Sequence, residues 1–226
     1  FQIENNQILS VISGNAPREQ IRDTLETLKQ ILDRDIRYCL VTIAVSSLFE
    51  HSSQFNLTYR QVQEMVQQAK LLEETRLIFE IRSLDSTFAL TPSQDQELNA
   101  RLQAGNAADC TQLIERWLDD MHKKEASVSQ FRLFADAVSS KAMKMLEIHK
   151  IDPDRLSELK PLVQRLKECC TLDEYKRAFG QFFASVAALV RAKKEEQDPI
   201  VTFVMVVLQT KYAEDISLDY LADKLN

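Results

Sequence analysis

Cysteines and histidines are the side chains of this chain that could carry redox, nucleophilic or metal chemistry, and it has four and three of them. The cysteines lack the paired spacing of metal ligands, and adjacent cysteines such as Cys169 and Cys170 rarely bridge each other without strain. No histidine lies in a ligand or nucleophile motif. We therefore predict reduced thiols, surface histidines and no catalytic, cofactor or metal site, with a redox switch at Cys169 and Cys170 as the less favoured alternative. The residues concerned are Cys39, Cys110, Cys169, Cys170, His51, His122 and His149.

The other thiols and the glycines also point away from enzymatic chemistry. Cys39 lies in an apolar run and Cys110 on the apolar face of a predicted helix, so both are predicted to fill the core of an intracellular protein. Loops that hold phosphate need clustered glycines, whereas Gly14, Gly105 and Gly180 are far apart. This spacing argues against a nucleotide-hydrolysing site. No cluster of titrating groups can be assembled, so a small-molecule enzyme is the least favoured class.

Composition and charge limit the partners of this chain. Its 226 residues, 45% of them apolar, suffice for one large or two modest domains with a buried core. A formal net charge of −6 repels the nucleic-acid backbone, so these residues alone are predicted to bind DNA poorly. The basic run at 191–194 is followed by Glu195 and Glu196 and is interpreted as a solvated face. No apolar run reaches the roughly 20 residues that cross a bilayer, and no signal pattern opens the chain, so we predict a soluble, cytoplasmic protein.

The elements that must position these residues fall into a mixed first part and a helical second part. In the first part, the apolar run at 38–45 predicts a strand covered on both faces, and the run at 76–81 predicts a second strand. A helix between them predicts a parallel strand-helix-strand crossover. Thr91 and Pro92 predict a boundary near residue 92. The other predicted elements are a helix around Ile8, Val11 and Ile12 that stops at Gly14, a helix from Pro17 carrying Ile21, Leu25, Leu28 and Ile31 or Leu32, a helix at 57–72 capped by Thr58, and an edge strand at 88–90.

Apolar stripes of helical period run through the second part. Trp117 in one of them is interpreted as a core anchor. A capping-box pattern at 171–174 predicts the start of a long helix. Its aromatics Phe179, Phe182 and Phe183 could line a ligand pocket, but their spacing favours a core or an interface. The stripes comprise Cys110, Leu113, Ile114, Trp117, Leu118 and Met121; Val128, Phe131, Phe134, Ala135, Val138, Ala142 and Met145; Leu156, Leu159, Val163 and Leu166 after Pro153; and Tyr175, Phe179, Phe182, Phe183, Val186, Leu189 and Val190.

The final stretch, residues 198–226, predicts a core helix followed by the start of another. Asp198 and Pro199 form a helix start, the residues after them are apolar on one face, and Ser217 is placed to cap a second helix. This stretch resembles the beginning of the AraC-type helix-turn-helix domain, as in YesN-like transcription regulators. In a complete family member the recognition helix would follow, and this sequence stops before it. The matching positions are Val206, Tyr212, Ile216, Ser217, Leu218, Leu221, Ala222 and Leu225.

The upstream layout is similar to the central regulatory region of the same regulators. There, a small α/β unit, often a decayed cyclase-like domain, leads into a patterned helical segment. The glycine-acid signature of working diguanylate cyclases is absent here, so cyclase activity is not expected. The helical pattern is matched by Glu97, Leu98, Leu102, Gly105, Asn106, Leu113, Ile114, Trp117 and Leu118.

Together, pattern and resemblance predict a mostly helical α+β chain: a small α/β domain at 1–92, an all-α helical bundle acting as a relay at 93–197, and a truncated helix-turn-helix start at 198–226. The resemblance implies a non-catalytic, signal-transmitting segment of a DNA-binding regulator. It also implies a homodimer, DNA bound through a C-terminal part beyond this chain, and an upstream receiver domain or membrane-anchored sensor, between which the sequence does not choose. The alternative is a stand-alone helical scaffold that binds protein partners. Effector and operator are not predicted.

Overall fold

The computed structural model describes residues 2–4, 7–12, 17–34, 40–80, 88–197 and Val206. The fold is mostly helical, with a small parallel sheet near the N-terminus followed by a helical region, which confirms the predicted α+β class. The chain forms two compact units, an N-terminal unit (Phe1–Val66 and Leu72–Arg82) and a helical unit (Gln67–Leu71 and Ser83–Asn226). In chain order the elements are β1 (Gln2–Glu4), β2 (Gln7–Ile8), α1 (Arg18–Arg34), β3 (Thr42–Ala44), α2 (Phe55–Gln68), β4 (Arg76–Ile78), α3 (Pro92–Ala104), α4 (Ala107–Lys123), α5 (Val128–Ile148), α6 (Pro153–Ser157), α7 (Lys160–Glu168) and α8 (Leu172–Gln197).

The parallel pair of the N-terminal unit confirms the predicted crossover. Strands β3 and β4 are three residues each and pair in parallel, with Ile43 opposite Leu77 at the centre of the register. Helix α2 lies between them in the chain. It begins at Phe55, so the prediction that Thr58 caps this helix was wrong. A short turn at Ser52–Gln54 starts the helix earlier, and the Thr58 hydroxyl donates to the Gln54 carbonyl at 3.0 Å from inside it.

Two further predictions in this part of the chain were wrong. Ile8 lies in strand β2, which pairs antiparallel with β1, and residues 9–12 form no helix. A single helical turn is costly to nucleate, and Ile8 and Ile12 are 84% and 70% exposed, so no burial offsets that cost. Residues 88–90 form no strand; instead Phe88 and Leu90 pack against the core of the helical unit. Residues 13–16 and 35–39, with Gly14 and Cys39, lie outside the described residues.

Helix boundaries in the helical unit follow from local chemistry. Thr91 and Ser127 begin α3 and α5 with capping boxes, each completed by a glutamine three residues later. Helix α5 ends at Ile148, with His149 as its C-cap. The single helix predicted after Pro153 is two helices, α6 and α7. Pro161 lacks an N–H and its ring would clash with a carbonyl four residues earlier, so α7 starts anew with this proline in its first turn.

An aromatic core organises the helical unit. Each of its rings from α5 and α8 is at most 1% exposed, and Trp117 of α4 is 6% exposed and meets Phe134 edge-on at 6.3 Å. The core interpretation of Trp117 is therefore confirmed. The same holds for the aromatics of α8, which contact one another rather than line an open pocket. The fully buried rings are Phe131, Phe134, Tyr175, Phe179, Phe182 and Phe183.

Candidate functional site

Helix α8 is the candidate functional element. It contributes to the core and ends just before residue 198, where the stretch that resembles a helix-turn-helix start begins. It spans 26 residues without a proline. One side is buried as far as Val190, which is 3% exposed. Ala184 and Ala188 lie on the exposed side, where alanine favours helix more than any other residue. The sequence thus supports one uninterrupted helix.

The start of α8 is fixed by the predicted capping box. The Glu174 N–H donates to the Thr171 hydroxyl at 3.3 Å, and the Glu174 carboxylate accepts the N–H groups of Thr171 at 3.2 Å and Cys170 at 2.8 Å. Such reciprocal bonds satisfy the N–H groups that a helix start leaves unpaired. The carboxylate also lies where the helix dipole favours negative charge. The direction of α8 is therefore set at residues 171–174.

The two adjacent thiols serve the end of the preceding helix. The Cys169 thiol donates to the Arg165 carbonyl at 3.3 Å, and the Cys170 thiol donates to the Glu168 carbonyl at 3.4 Å. Both carbonyls belong to the last turn of α7. Carbonyls in the last turn of a helix have no helical N–H group from which to accept a hydrogen bond. Neither cysteine forms a disulfide. These contacts give the thiols a structural role at the junction of α7 and α8.

A polar cluster, formed by Tyr175, Arg132, Cys169 and Cys170, lies beneath the first turn of α8. Tyr175 is 0% exposed, its ring centroid lies 5.5 Å from that of Phe131, and its hydroxyl has no hydrogen-bond partner. The Nε of Arg132 is likewise buried without a partner. An unpaired buried polar group costs about 1–3 kcal/mol. The cluster therefore lowers the stability of an otherwise apolar core.

Burial keeps the acidic groups of this cluster neutral. It raises the pKa of Cys169 to about 12 and raises that of Cys170, with the Glu174 carboxylate adding to both shifts. Burial also raises the pKa of Tyr175 well above 10, which the nearby Arg132 guanidinium partly opposes. Since the thiolate is the reactive form of cysteine, burial disfavours nucleophilic reactivity of both thiols. The arrangement suits packing and capping rather than covalent chemistry.

The remaining residues considered from sequence lie apart from this cluster. Cys110 is 3% exposed within the core, as predicted, and burial raises its pKa to about 11. His51 and His149 are exposed, as predicted, whereas His122 is half-buried. Across the described ranges, no three histidine, cysteine, aspartate or glutamate side chains come together as a metal site would require.

Sequence reasoning missed that Arg132 lies near the buried Tyr175 hydroxyl. Arg132 lies on α5 and Tyr175 on α8, and α6 and α7 separate these two helices in the chain. One signal was present: Tyr175 is the member of the α8 aromatic stripe that carries a hydroxyl, and such a group needs a partner when buried. The identity of the cationic neighbour depends on the packing of α5 against α8, which periodicity alone does not give.

Comparisons with known proteins add no family assignment. No family model, no curated protein and no solved structure matches this chain. Of the stretch that resembles a helix-turn-helix start, the structure describes Val206, which is helical and 51% exposed. Among the described residues, no helix is both long and apolar enough to span a membrane.

Proposed function

We propose that this chain is the regulatory, signal-transmitting part of an AraC-type DNA-binding transcription regulator, non-catalytic and acting in the cytoplasm. The observation that carries the proposal is α8: a capped, 26-residue helix, packed in the aromatic core, directly precedes residues 198–226 with their helix-turn-helix resemblance. At about 1.5 Å per residue, such a helix extends about 39 Å. In this role it connects the regulatory core to the DNA-binding part.

Transmission would work through dense packing. The Phe134 ring of α5 and the Phe179 ring of α8 lie 5.8 Å apart in an edge-on contact, so a shift of one helix would displace side chains of the other. Close-packed interiors move between discrete arrangements rather than deform continuously. The unpaired Tyr175 hydroxyl lowers the cost of a second arrangement, because it has no native bond to lose. In a homodimer, a change of this kind would alter the spacing of two DNA half-sites.

The direct experiment uses the full-length gene product and residues 1–226 side by side in selection from random DNA duplexes. We expect the full-length product to select a defined DNA sequence. Residues 1–226 alone, with a net charge of −6, should select no DNA sequence. Leu221→Asp in the full-length product places a charge on the predicted apolar face and should abolish selection. A full-length product that selects no sequence, or a 1–226 chain that selects one tightly, would contradict the proposal.

A stand-alone protein-binding scaffold is the second candidate, and one observation favours it. Leu133 and Ile148 on α5 are 40% and 71% exposed. These two residues are 15 positions apart on the helix, so a partner would contact them as two separate points rather than as one continuous patch. The scaffold would gain support if the full-length product selected no DNA while a Leu133→Ser and Ile148→Ser double variant lost a protein partner that the unmodified chain binds.

A further inference from the structure

A basic groove lies at the end of the helical unit where α5, α6 and the last part of α8 meet. Its volume is about 550 Å³, within the range of small-molecule sites. Three cationic side chains from three different elements line it, with one carboxylate among them. That carboxylate, Asp152, accepts the Asp154 N–H at 3.0 Å and so caps α6. The lining residues are Lys150, Ile151, Asp152, Pro153, Arg155 and Lys193.

Lys150 occupies a backbone position that normally takes glycine. Its φ is 54°, in the left-handed region, where a Cβ is disfavoured. The Lys150 N–H donates to the Glu147 carbonyl at 2.9 Å, and the Ile151 N–H donates to the Leu146 carbonyl at 3.1 Å. These two bonds close helix α5 in a Schellman motif, in which glycine is the usual residue at this point. A lysine here keeps a charge at the cost of backbone strain.

Helix α4 ends in the same way and provides a matched comparison. Glu125 has a φ of 57°, and its N–H and that of Ala126 make the equivalent bonds at 2.9 and 3.0 Å. The Glu125 carboxylate pairs with the Lys70 ammonium. The charged side chain at the end of α4 therefore has an ion-pair partner. For Lys150, the described part of the chain records no ion pair or hydrogen bond of the ammonium group.

We propose that the groove binds a small organic phosphate and that Lys150 contributes its ammonium to the phosphate oxygens. Arg155 and Lys193 line the same groove, and lysine and arginine are the side chains that bind phosphate in proteins. The groove has room for the phosphate and a sugar-sized remainder. This inference goes beyond the proposed function and holds whether or not the chain regulates transcription; in a regulator, the ligand would be its effector.

The test is a calorimetric titration of the full chain with inorganic phosphate, pyrophosphate and ribose 5-phosphate at fixed ionic strength, so that screening is constant. We expect saturable binding, tightest for a ligand that fills both the charged and the uncharged part of the groove. Lys150→Gln keeps the strained backbone and removes the charge, so binding should weaken at least roughly tenfold with little change in the melting temperature. Sulfate at the same ionic strength separates specific from general anion binding.

Lys150→Gly separates the ligand role from a structural one. It removes the charge and relieves the strain, so we expect a higher melting temperature without ligand together with binding weakened at least roughly tenfold. Glu125→Gly is the control, since it changes the equivalent cap of α4 and should leave the affinity unchanged. The proposal fails if none of the three phosphates binds with a Kd below about 10 mM or if sulfate binds as tightly as they do. It also fails if Lys150→Gly binds phosphate with unchanged affinity.

Discussion

The two units of this chain are stabilised in opposite ways. In the helical unit, six aromatic rings are at most 1% exposed and contact one another through α5 and α8. In the N-terminal unit, α1 has no buried residue and the residues of β3 and β4 are half-buried. Leu48 and Leu57 are 78% and 63% exposed. Apolar burial therefore dominates in one unit only.

Polar contacts hold α1 against β4 at both ends of the helix. Near its C-terminus, Asp33 accepts the Thr75 N–H at 2.9 Å and pairs with Lys29 at 2.9 Å. Near its N-terminus, Arg18 donates to the Phe79 carbonyl at 3.3 Å, and the Arg22 guanidinium lies 4.5 Å above the Phe79 ring. Contacts of this type contribute less to the free energy of unfolding than apolar burial does, and their strength changes with pH and salt. Because of this difference, the two units should unfold under different conditions of pH and salt.

The largest effect is expected from the aromatic core. Phe179→Ala removes a fully buried ring and should lower the free energy of unfolding by about 3–5 kcal/mol. Ile31→Ala, on the exposed side of α1 at 55% exposure, should change it by less than about 0.5 kcal/mol. Urea unfolding followed by far-ultraviolet circular dichroism covers both units, and the fluorescence of Trp117, the single tryptophan, reports on the helical unit. Equal costs for the two variants would mean that the units do not differ as described.

Alkaline pH should destabilise the helical unit next most strongly. Burial raises the pKa of Cys169 from 9.0 to about 12, so the folded state holds this proton more tightly than the unfolded chain does. The resulting stabilisation is complete below pH 9 and is lost as the pH rises toward 12. Cys169→Ser removes the titration and should flatten the decline of unfolding free energy over this range. Part of the slope will persist, because burial also raises the pKa of Cys110 and Tyr175. Identical slopes for variant and parent would refute the assignment.

A smaller and opposite effect is expected at Tyr175. Its buried hydroxyl has no partner, so Tyr175→Phe removes an unsatisfied group while keeping the ring. We expect the unfolding free energy to stay the same or rise by up to about 1 kcal/mol. The matched change Tyr59→Phe, on α2, removes a hydroxyl that accepts from the Gln63 side chain at 2.8 Å at the surface, and it should give no gain. A loss above about 1 kcal/mol for Tyr175→Phe would show that the hydroxyl is bonded.

The smallest effect concerns acid and the N-terminal unit. The hydrogen bond from Lys29, followed by that from the Thr75 N–H, holds the pKa of Asp33 below its usual 3.8. A depressed folded pKa gives stabilisation that is present above pH 3.8 and is lost as the pH falls through the folded value. Hydrogen-exchange protection of α1 should therefore fall below about pH 4. Asp33→Asn should remove that dependence, whereas Asp23→Asn on the same helix should leave it intact.

Local chemistry explains what the sequence could predict. The capping box at Thr171 and the aromatic stripe through Phe179 depend on short-range patterns, and both are confirmed. The parallel pairing of β3 with β4 joins distant segments, but the strand-helix-strand order predicts it, and it is confirmed as well. Pro161 was a local signal as well, and it was overlooked in predicting one helix after Pro153.

Features that depend on distant segments could not be predicted. The Arg132–Tyr175 cluster requires the packing of α5 against α8, and the basic groove requires three elements to converge at one end of the helical unit. The left-handed backbone at Lys150 could not be predicted, because the usual sequence signal for it is a glycine and this position holds a lysine. The φ angle and the hydrogen bonds at the end of α5 are seen in the structure alone. The helix-turn-helix resemblance at 198–226 stays a prediction.

The proposed signal transmission depends on α8 being one uninterrupted helix that is buried along one side. Amide hydrogen exchange on the intact chain tests it most directly. We predict that amides from Phe179 to Val190 exchange only through global unfolding of the helical unit, at least about a hundredfold more slowly than those of α1. Exchange in this stretch as fast as in α1, or a fast segment between Phe183 and Val190, would contradict the claim and remove the basis for a relay.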